Sequence, residues 1–115
     1  MADFIPSAFL DHLANPGQLA ELNDSQLLQL AGEIRNRIIS TVSHNGGHLA
    51  PSLGVVELTL ALLAEFDLDK DKLIWDVGHQ AYAYKLLTGR AAVFNTLRTL
   101  GGISGFPKMD ESPYD

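Results

Sequence analysis

Two histidines, His48 and His79, are the residues of this sequence best placed to carry out chemistry. His48 follows two glycines and precedes a predicted helix, whose N-terminus near Ser52 can favour an anion such as phosphate. His79 follows Gly78, which ends the apolar run 73–77; a strand there would present the imidazole beyond its carboxyl end, where open α/β sheets bind ligands. A lone histidine is more often structural. Two of them, each in a glycine-supported loop of the kind that often carries function, predict a functional site.

Three other patterns give weaker indications of a ligand. His44 and His48 have the four-residue spacing of a zinc-binding pair, but the glycines at 46–47 break the helix that would align them. The acidic turn 67–72 opens like a calcium-binding loop, yet its sixth position is lysine rather than glycine and its twelfth is glycine rather than glutamate. The glycine-rich segment 101–105 follows a predicted helix and not a strand, unlike a dinucleotide-binding loop. We therefore predict no metal site within this sequence.

Composition and charge limit the class of protein. At 115 residues the chain has the usual size of one domain. Its net charge of −6, without a cluster of lysine or arginine, argues against nucleic-acid binding. The longest apolar run, 55–66, is too short and too interrupted to span a membrane, and the N-terminus lacks the pattern of a signal peptide. Cysteine is absent, which suits a reducing compartment. We expect a cytoplasmic protein with no nucleic-acid and no membrane partner.

Hydrophobic periodicity predicts that most of the chain is helical. Apolar residues recur at three- and four-residue steps between a cap at Asn23 or Asp24 and the glycines at 46–47, which predicts a long helix over 24–44. The other predicted elements are an arm at 1–15, a helical turn at 18–22 begun by Asn15 and Pro16, a second helix from 51 or 52 to 66, helices at 81–88 and 91–100, and a loop from 103 to 115. The second helix is apolar nearly all round, which predicts burial on more than one side.

Only the run 73–77 is typical of a strand, and a single strand cannot satisfy its own backbone hydrogen bonds. A run this apolar should lie in a parallel sheet covered on both faces. Each parallel neighbour needs a crossover of a dozen or more residues, so the neighbours would come from further sequence. We therefore expect the first part of a larger α/β domain, with an open sheet edge that makes the isolated chain prone to associate.

Several segments resemble the signatures of the 1-deoxy-D-xylulose-5-phosphate synthase family, which is related in outline to transketolases. The matching segments are 46–59 (Gly-Gly-His-Leu-Ala-Pro-Ser-Leu-Gly-Val-Val-Glu-Leu-Thr), 74–82 (Ile-Trp-Asp-Val-Gly-His-Gln-Ala-Tyr), 85–90 (Lys-Leu-Leu-Thr-Gly-Arg), 96–98, 101–108 (Gly-Gly-Ile-Ser-Gly-Phe-Pro-Lys) and 111–112. The Trp-Asp-Val-Gly-His-Gln run is highly specific, because transketolases usually have a Lys-Gly-His type of segment at this point. The likeness extends from about residue 15 to residue 115.

The resemblance implies a fold, a cofactor and site residues. It implies that 16–115 form the incomplete N-terminal portion of a thiamine-diphosphate-binding, transketolase-like parallel-sheet domain. The implied enzyme is a magnesium-dependent transferase, homodimeric in the full-length parent, that condenses pyruvate with glyceraldehyde 3-phosphate and releases carbon dioxide. Its product feeds the synthesis of isoprenoid precursors, thiamine and pyridoxal phosphate. By position, His79 matches a cofactor-binding histidine, His48 a catalytic histidine near the reacting carbon, and Ser52 a residue of the cofactor loop.

Two parts of the family's machinery are missing from this sequence. The Gly-Asp-Gly…Asn segment that holds magnesium and the diphosphate is absent, as is the glutamate that activates the aminopyrimidine. We therefore expect this chain to be inactive by itself. Two alternatives stay open: a half-enzyme completed by a second chain, and a non-catalytic helical binding module. The presence of both His48 and His79 argues against the binding module.

Overall fold

The computed structural model describes residues 9–115, which fold into helices joined by structured loops. The α-helices are α1 (Asp24–Asn45), α2 (Leu49–Gly54), α3 (Val56–Glu65) and α4 (Tyr82–Lys85). Three 3-10 helices cover Leu10–His12, Pro16–Glu21 and Ala91–Thr96, and a wide π-type turn covers Leu86–Arg90. No helix within the described residues is both long and apolar enough to cross a membrane.

Helix α1 is the central element, and its ends follow from local sequence. The side chain of Asn23 accepts the N–H of Gln26, while the Gln26 side chain accepts the N–H of Asn23, forming a capping box. The helix ends where Gly46 takes a positive φ of 81°. The predicted helix over 24–44 is therefore confirmed, with one further residue at its C-terminus. Its apolar stripe packs on α3 and α4 to form the core, which includes Leu30, Ile34, Ile38, Val56, Leu60, Leu63, Tyr82, Tyr84 and Phe94.

The second predicted helix is two helices. Helix α2 begins at Leu49, earlier than expected, and the chain bends at Val55 (φ −117°, ψ 17°) before α3 begins. The expectation that this segment is buried on more than one side is wrong for part of its surface, since Leu58 and Phe66 are each 53% exposed. The bend separates α2 from α3, so α2 can follow the loop that carries His48.

The predicted strand at 73–77 is not formed, and no β-strand is found between residues 9 and 115. Ile74 is 87% exposed and Val77 71% exposed, whereas a strand of a covered sheet would bury both. The N–H of Gly78 bonds the carbonyl of Asp76 at 2.8 Å across Val77, closing a three-residue turn. The physical reason is that a strand requires a neighbour, and no described segment pairs with this one. The predicted strand is thus wrong for the described residues, whereas the expectation that this part of the domain is mostly helical is confirmed.

In the C-terminal half, the predicted stop at Gly89 is confirmed and the predicted stop at Gly101 is wrong. The helix expected over 81–88 appears as α4 and the wide turn, which Gly89 interrupts as expected with a φ of 99°. The helix expected over 91–100 ends early as the 3-10 helix at Ala91–Thr96. Residues 103–115 form a loop, as predicted.

The described end of the N-terminal arm is attached to α1. Glu33 accepts the backbone N–H groups of Phe9 and Leu10, each at 3.0 Å, and Arg37 pairs with Asp11 at 2.9 Å. The predicted helix start at 15–17 is confirmed, because Asn15 caps the 3-10 helix and Pro16 is its first residue. The first eight residues of the predicted arm lie outside the described part of the chain. The division into an arm at 1–15 and a domain at 16–115 stays a prediction.

Candidate functional site

The structure brings His48 and His79 together. Their ring centroids are 5.3 Å apart and the rings meet edge to face at 66°. His48 is exposed and occupies the N-cap position of α2, while His79 is half-buried in the turn that follows Gly78. The two imidazoles come from loops 31 positions apart in sequence (79 − 48) and form one pair at the surface.

Ser52 links the two loops from inside. Its side chain is fully buried in the fourth position of α2, and its hydroxyl donates to the carbonyl of His79 at 3.4 Å. Because α2 begins at Leu49, the helix N-terminus lies three residues before Ser52, and the predicted helix start at 51 or 52 is wrong. The contact that the structure gives Ser52 is with the loop that carries His79.

Tyr82 fixes the backbone of the first loop. This buried side chain places its hydroxyl 3.2 Å from the backbone N of His48, which donates to it. Gly47 has a φ of +135°, and a methyl group added there would lie 2.5 Å from the same hydroxyl. The Tyr82 ring is itself held edge to face against Phe94, with centroids 6.1 Å apart. Only glycine allows the chain to pass this close to Tyr82 in this conformation.

The C-terminal loop contributes the third side of the site. The Phe106 ring lies 6.5 Å from the His48 ring, centroid to centroid. Pro107 packs on Gly78, so closely that an added methyl group at Gly78 would lie 2.4 Å from the proline Cδ. The loop thereby contacts both histidine loops.

Arg98 adds a positive charge beside Gly47, the residue before His48. Its side chain lies against the glycines of two loops: a methyl group at Gly47 would be 3.4 Å from Nη1, and one at Gly105 would be 3.1 Å from Cγ. Its backbone has a φ of 61°, and its N–H bonds the carbonyl of Ile103 at 2.8 Å. This guanidinium and the two imidazoles form a donor set suited to an anionic ligand.

Among residues 9–115, no group of three or more histidine, aspartate or glutamate side chains is placed to hold a metal ion. His44 lies exposed in the last turn of α1.

Comparison with known proteins gives a family for this arrangement. Residues 10–115, which include every side chain of the site, match the sequence model of 1-deoxy-D-xylulose-5-phosphate synthase. The chain belongs to the 1-deoxy-D-xylulose-5-phosphate synthase family.

Three curated synthases illustrate how similar the chain is to this family. This chain is 70% identical over 106 residues to the synthase of Oleidesulfovibrio alaskensis. The aligned residues cover 92% of this chain and 17% of the relative. It is 62% identical to that of Lawsonia intracellularis (98% of this chain, 18% of the relative). It is 61% identical to that of Nitratidesulfovibrio vulgaris over 100% of this chain and 18% of the relative. The chain thus spans less than a fifth of these relatives' length and corresponds to their N-terminal region.

Family membership confirms the resemblance read from the sequence motifs, while the roles of His48, His79 and Ser52 stay predictions. Reasoning from residue types alone missed Tyr82, Arg98 and Phe106 as parts of the site. All three lie in segments that match the synthase signatures, but periodicity gave no reason to place them near His48. The available signal was the glycines, since Gly47 and Gly105 are the positions where Tyr82 and Arg98 approach the backbone most closely.

Proposed function

We propose that this chain supplies one wall of the thiamine-diphosphate site of a 1-deoxy-D-xylulose-5-phosphate synthase, with His79 contacting the cofactor and His48 facing the reacting carbon. The observation that carries the proposal is the pairing of the two rings at 5.3 Å within the segment that matches the family. An edge-to-face contact alone is common in protein cores. Here, however, His48 is exposed and both rings border a loop surface, where a ligand can reach them.

The residues present fit the organic cofactor. Its diphosphate is anionic, and the site offers two imidazoles together with the guanidinium of Arg98. Gly47 and Gly78 carry no side chain, so Tyr82 and Pro107 lie directly against the backbone of the histidine loops and hold them in place. When bound, thiamine diphosphate supplies the carbon that takes up the two-carbon unit of pyruvate as carbon dioxide leaves.

His48 is the proposed proton carrier. A neutral imidazole has one ring nitrogen that accepts a proton and one that donates, so His48 can exchange a proton with a bound substrate at a ring nitrogen. The Tyr82 hydroxyl orients this residue by accepting its backbone N–H, which leaves the ring free to face the surface. Ser52 would act indirectly, by holding the carbonyl of His79.

The remaining parts of the proposal rest on family membership alone. They are the substrates pyruvate and glyceraldehyde 3-phosphate, a magnesium ion that would accompany the diphosphate, a homodimer, a cytoplasmic location, and a role in isoprenoid and thiamine biosynthesis. We assign no magnesium ligand within this chain, and we expect no turnover from the chain on its own.

Calorimetric titration with thiamine diphosphate and magnesium tests the proposal. Each titration is run with this chain alone and with a second chain that carries the rest of the O. alaskensis relative. We expect binding in the combined sample that is lost in His79→Ala and kept in His12→Ala, a matched control that removes an exposed imidazole outside the site. Binding that survives His79→Ala would refute the assignment, as would the absence of binding in both samples.

A chimera separates the two histidine roles. This chain replaces the matching segment of the O. alaskensis relative, to which it is 70% identical. For His48→Ala in the chimera we expect cofactor affinity to be retained and kcat to fall by about 100-fold or more, the usual contribution of a proton-transfer group. An unchanged kcat would remove His48 from the chemistry.

A further inference from the structure

A buried charge network joins α4 and the turn after it to the C-terminal loop, and it has no part in the function proposed so far. Lys85 is fully buried and its Nζ lies 2.6 Å from Glu111 Oε1. The buried Arg90 reaches the same oxygen of Glu111 at 3.0 Å and also bonds Asp115 Oδ1 at 2.7 Å. Two cations from α4 and the following turn are thereby paired with two carboxylates of the C-terminal loop.

Each carboxylate also holds the backbone of the loop. Glu111 Oε2 accepts the N–H of Ser104 at 2.7 Å, and Asp115 Oδ2 accepts the N–H of Lys108 at 2.9 Å. The two hydrogen bonds therefore fix the first and last residues of the segment 104–108, and charge-assisted bonds of this kind are stronger than neutral ones.

The fixed segment is the one that contacts the histidine loops. Phe106 lies at its centre with its ring 6.5 Å from the ring of His48, and Pro107 packs on Gly78, the residue before His79. The Phe106 side chain is itself 45% exposed, so packing alone holds it weakly. The position of the segment depends on its two ends.

We infer that Glu111 and Asp115 are positioning residues for the histidine pair, acting by fixing the segment 104–108 against His48 and Gly78. The inference depends on the proposed function only because it takes His48 and His79 to form a functional site. The contacts that fix the segment 104–108 do not depend on that function. Burial alone would raise the pKa of both carboxyl groups. The Lys85 ammonium, the Ser104 N–H and Arg90 outweigh it and lower the pKa of Glu111. Arg90 likewise lowers the pKa of Asp115. Both groups are therefore ionised at neutral pH, the form that accepts these hydrogen bonds.

Histidine side-chain NMR of this chain tests the inference without any cofactor. The substitution Phe106→Leu sets the reference, because it removes the ring current of Phe106 from His48. We expect Glu111→Gln to shift the His48 ring signal in the same direction as Phe106→Leu, to change the His79 ring signal, and to leave His12 unmoved. Glu57→Gln is the matched control: it removes a carboxylate that pairs with Arg35 in an exposed salt bridge.

A purely structural network would behave differently. Glu111→Gln would then lower the melting temperature while the His48 and His79 signals stayed in place, and the inference would be wrong. Should Glu111→Gln not fold, the double variant Lys85→Met with Glu111→Leu replaces the buried pair by apolar side chains, a change that proteins often tolerate. It still removes the acceptor for Ser104, so the same signal shifts are expected. Failure of the proposed function would appear in the calorimetry and not in these spectra.

Discussion

The close approach of Gly47 to Tyr82 gives a sharp prediction about stability. Gly47→Ala must place a side chain at a φ of +135° and 2.5 Å from the buried Tyr82 hydroxyl. The backbone strain costs about 1–3 kcal/mol and the overpacking about 1–3 kcal/mol, so we expect a loss of roughly 2–6 kcal/mol in the free energy of unfolding. Tyr82→Phe alone removes one hydrogen bond to the N–H of His48, worth about 1 kcal/mol.

The two causes can be separated by a double-mutant cycle. With Tyr82→Phe in the background the hydroxyl is gone and the nearest ring carbon lies 3.3 Å from the added methyl group, so Gly47→Ala should then cost little more than the strain of about 1–3 kcal/mol. The assay is urea unfolding followed by circular dichroism. Gly32→Ala is the matched control: it lies in α1 with nothing within 4 Å of the added methyl, and it should stabilise by roughly 0.5–1 kcal/mol. Equal costs of Gly47→Ala in both backgrounds would show that the hydroxyl does not restrict this position.

Three further predictions follow from charge and exposure. Since their partners lower the pKa of Glu111 and Asp115, the stability that these carboxylates contribute is complete above the ordinary carboxyl pKa of about 4 and is lost as pH falls below it. The urea midpoint of unfolding, measured as a function of pH, should fall in acid for the unsubstituted chain. The double variant Glu111→Gln with Asp115→Asn should not show this fall. Burial, with the charge of Asp115, raises the pKa of Tyr84 to about 12. Because the tyrosine ionises at lower pH in the unfolded chain than in the folded one, the free energy of unfolding should fall between about pH 10 and 12. Tyr84→Phe should make this fall smaller. The exposure of Ile74 (87%) and Val77 (71%) predicts concentration-dependent association in sedimentation velocity, weakened by Ile74→Lys; a single monomeric species at all concentrations would contradict this.

The parts of the fold that could be predicted are those fixed by local sequence. Helix α1 has its period, its cap at Asn23 and its stop at Gly46 within one segment, and its bounds were predicted to one residue. The bend at Val55 was missed although Gly54 directly precedes it, because apolar residues continue on both sides of that glycine. The strand at 73–77 failed because a strand depends on a neighbour, which the composition of the segment does not provide.

The candidate site divides in the same way. Loop residues in glycine-supported turns could be identified from the sequence, so His48 and His79 were found. Arg98 and Phe106 could not, because they reach the pair through tertiary contacts across about 50–60 positions, and no period or spacing records such contacts. The network at Glu111 was missed for the same reason, although a lysine and an arginine on a short helical segment offer a weak signal for buried partners.

The site and the helical core are therefore held by different interactions, so a substitution in a loop can disorder the site without unfolding the core. The core rests on apolar packing around α1, which few substitutions in the loops can affect. The histidine pair rests instead on a small number of polar contacts at loop ends, among them Tyr82 to His48, Ser52 to His79 and Glu111 to Ser104. Regions with few apolar contacts open with low free energies, well below that of global unfolding. Amide hydrogen exchange should accordingly show the loops at 46–48, 78–79 and 104–108 exchanging faster than α1. Removal of one loop contact should speed exchange in the loops while α1 stays protected, because the site can lose its order without the core unfolding.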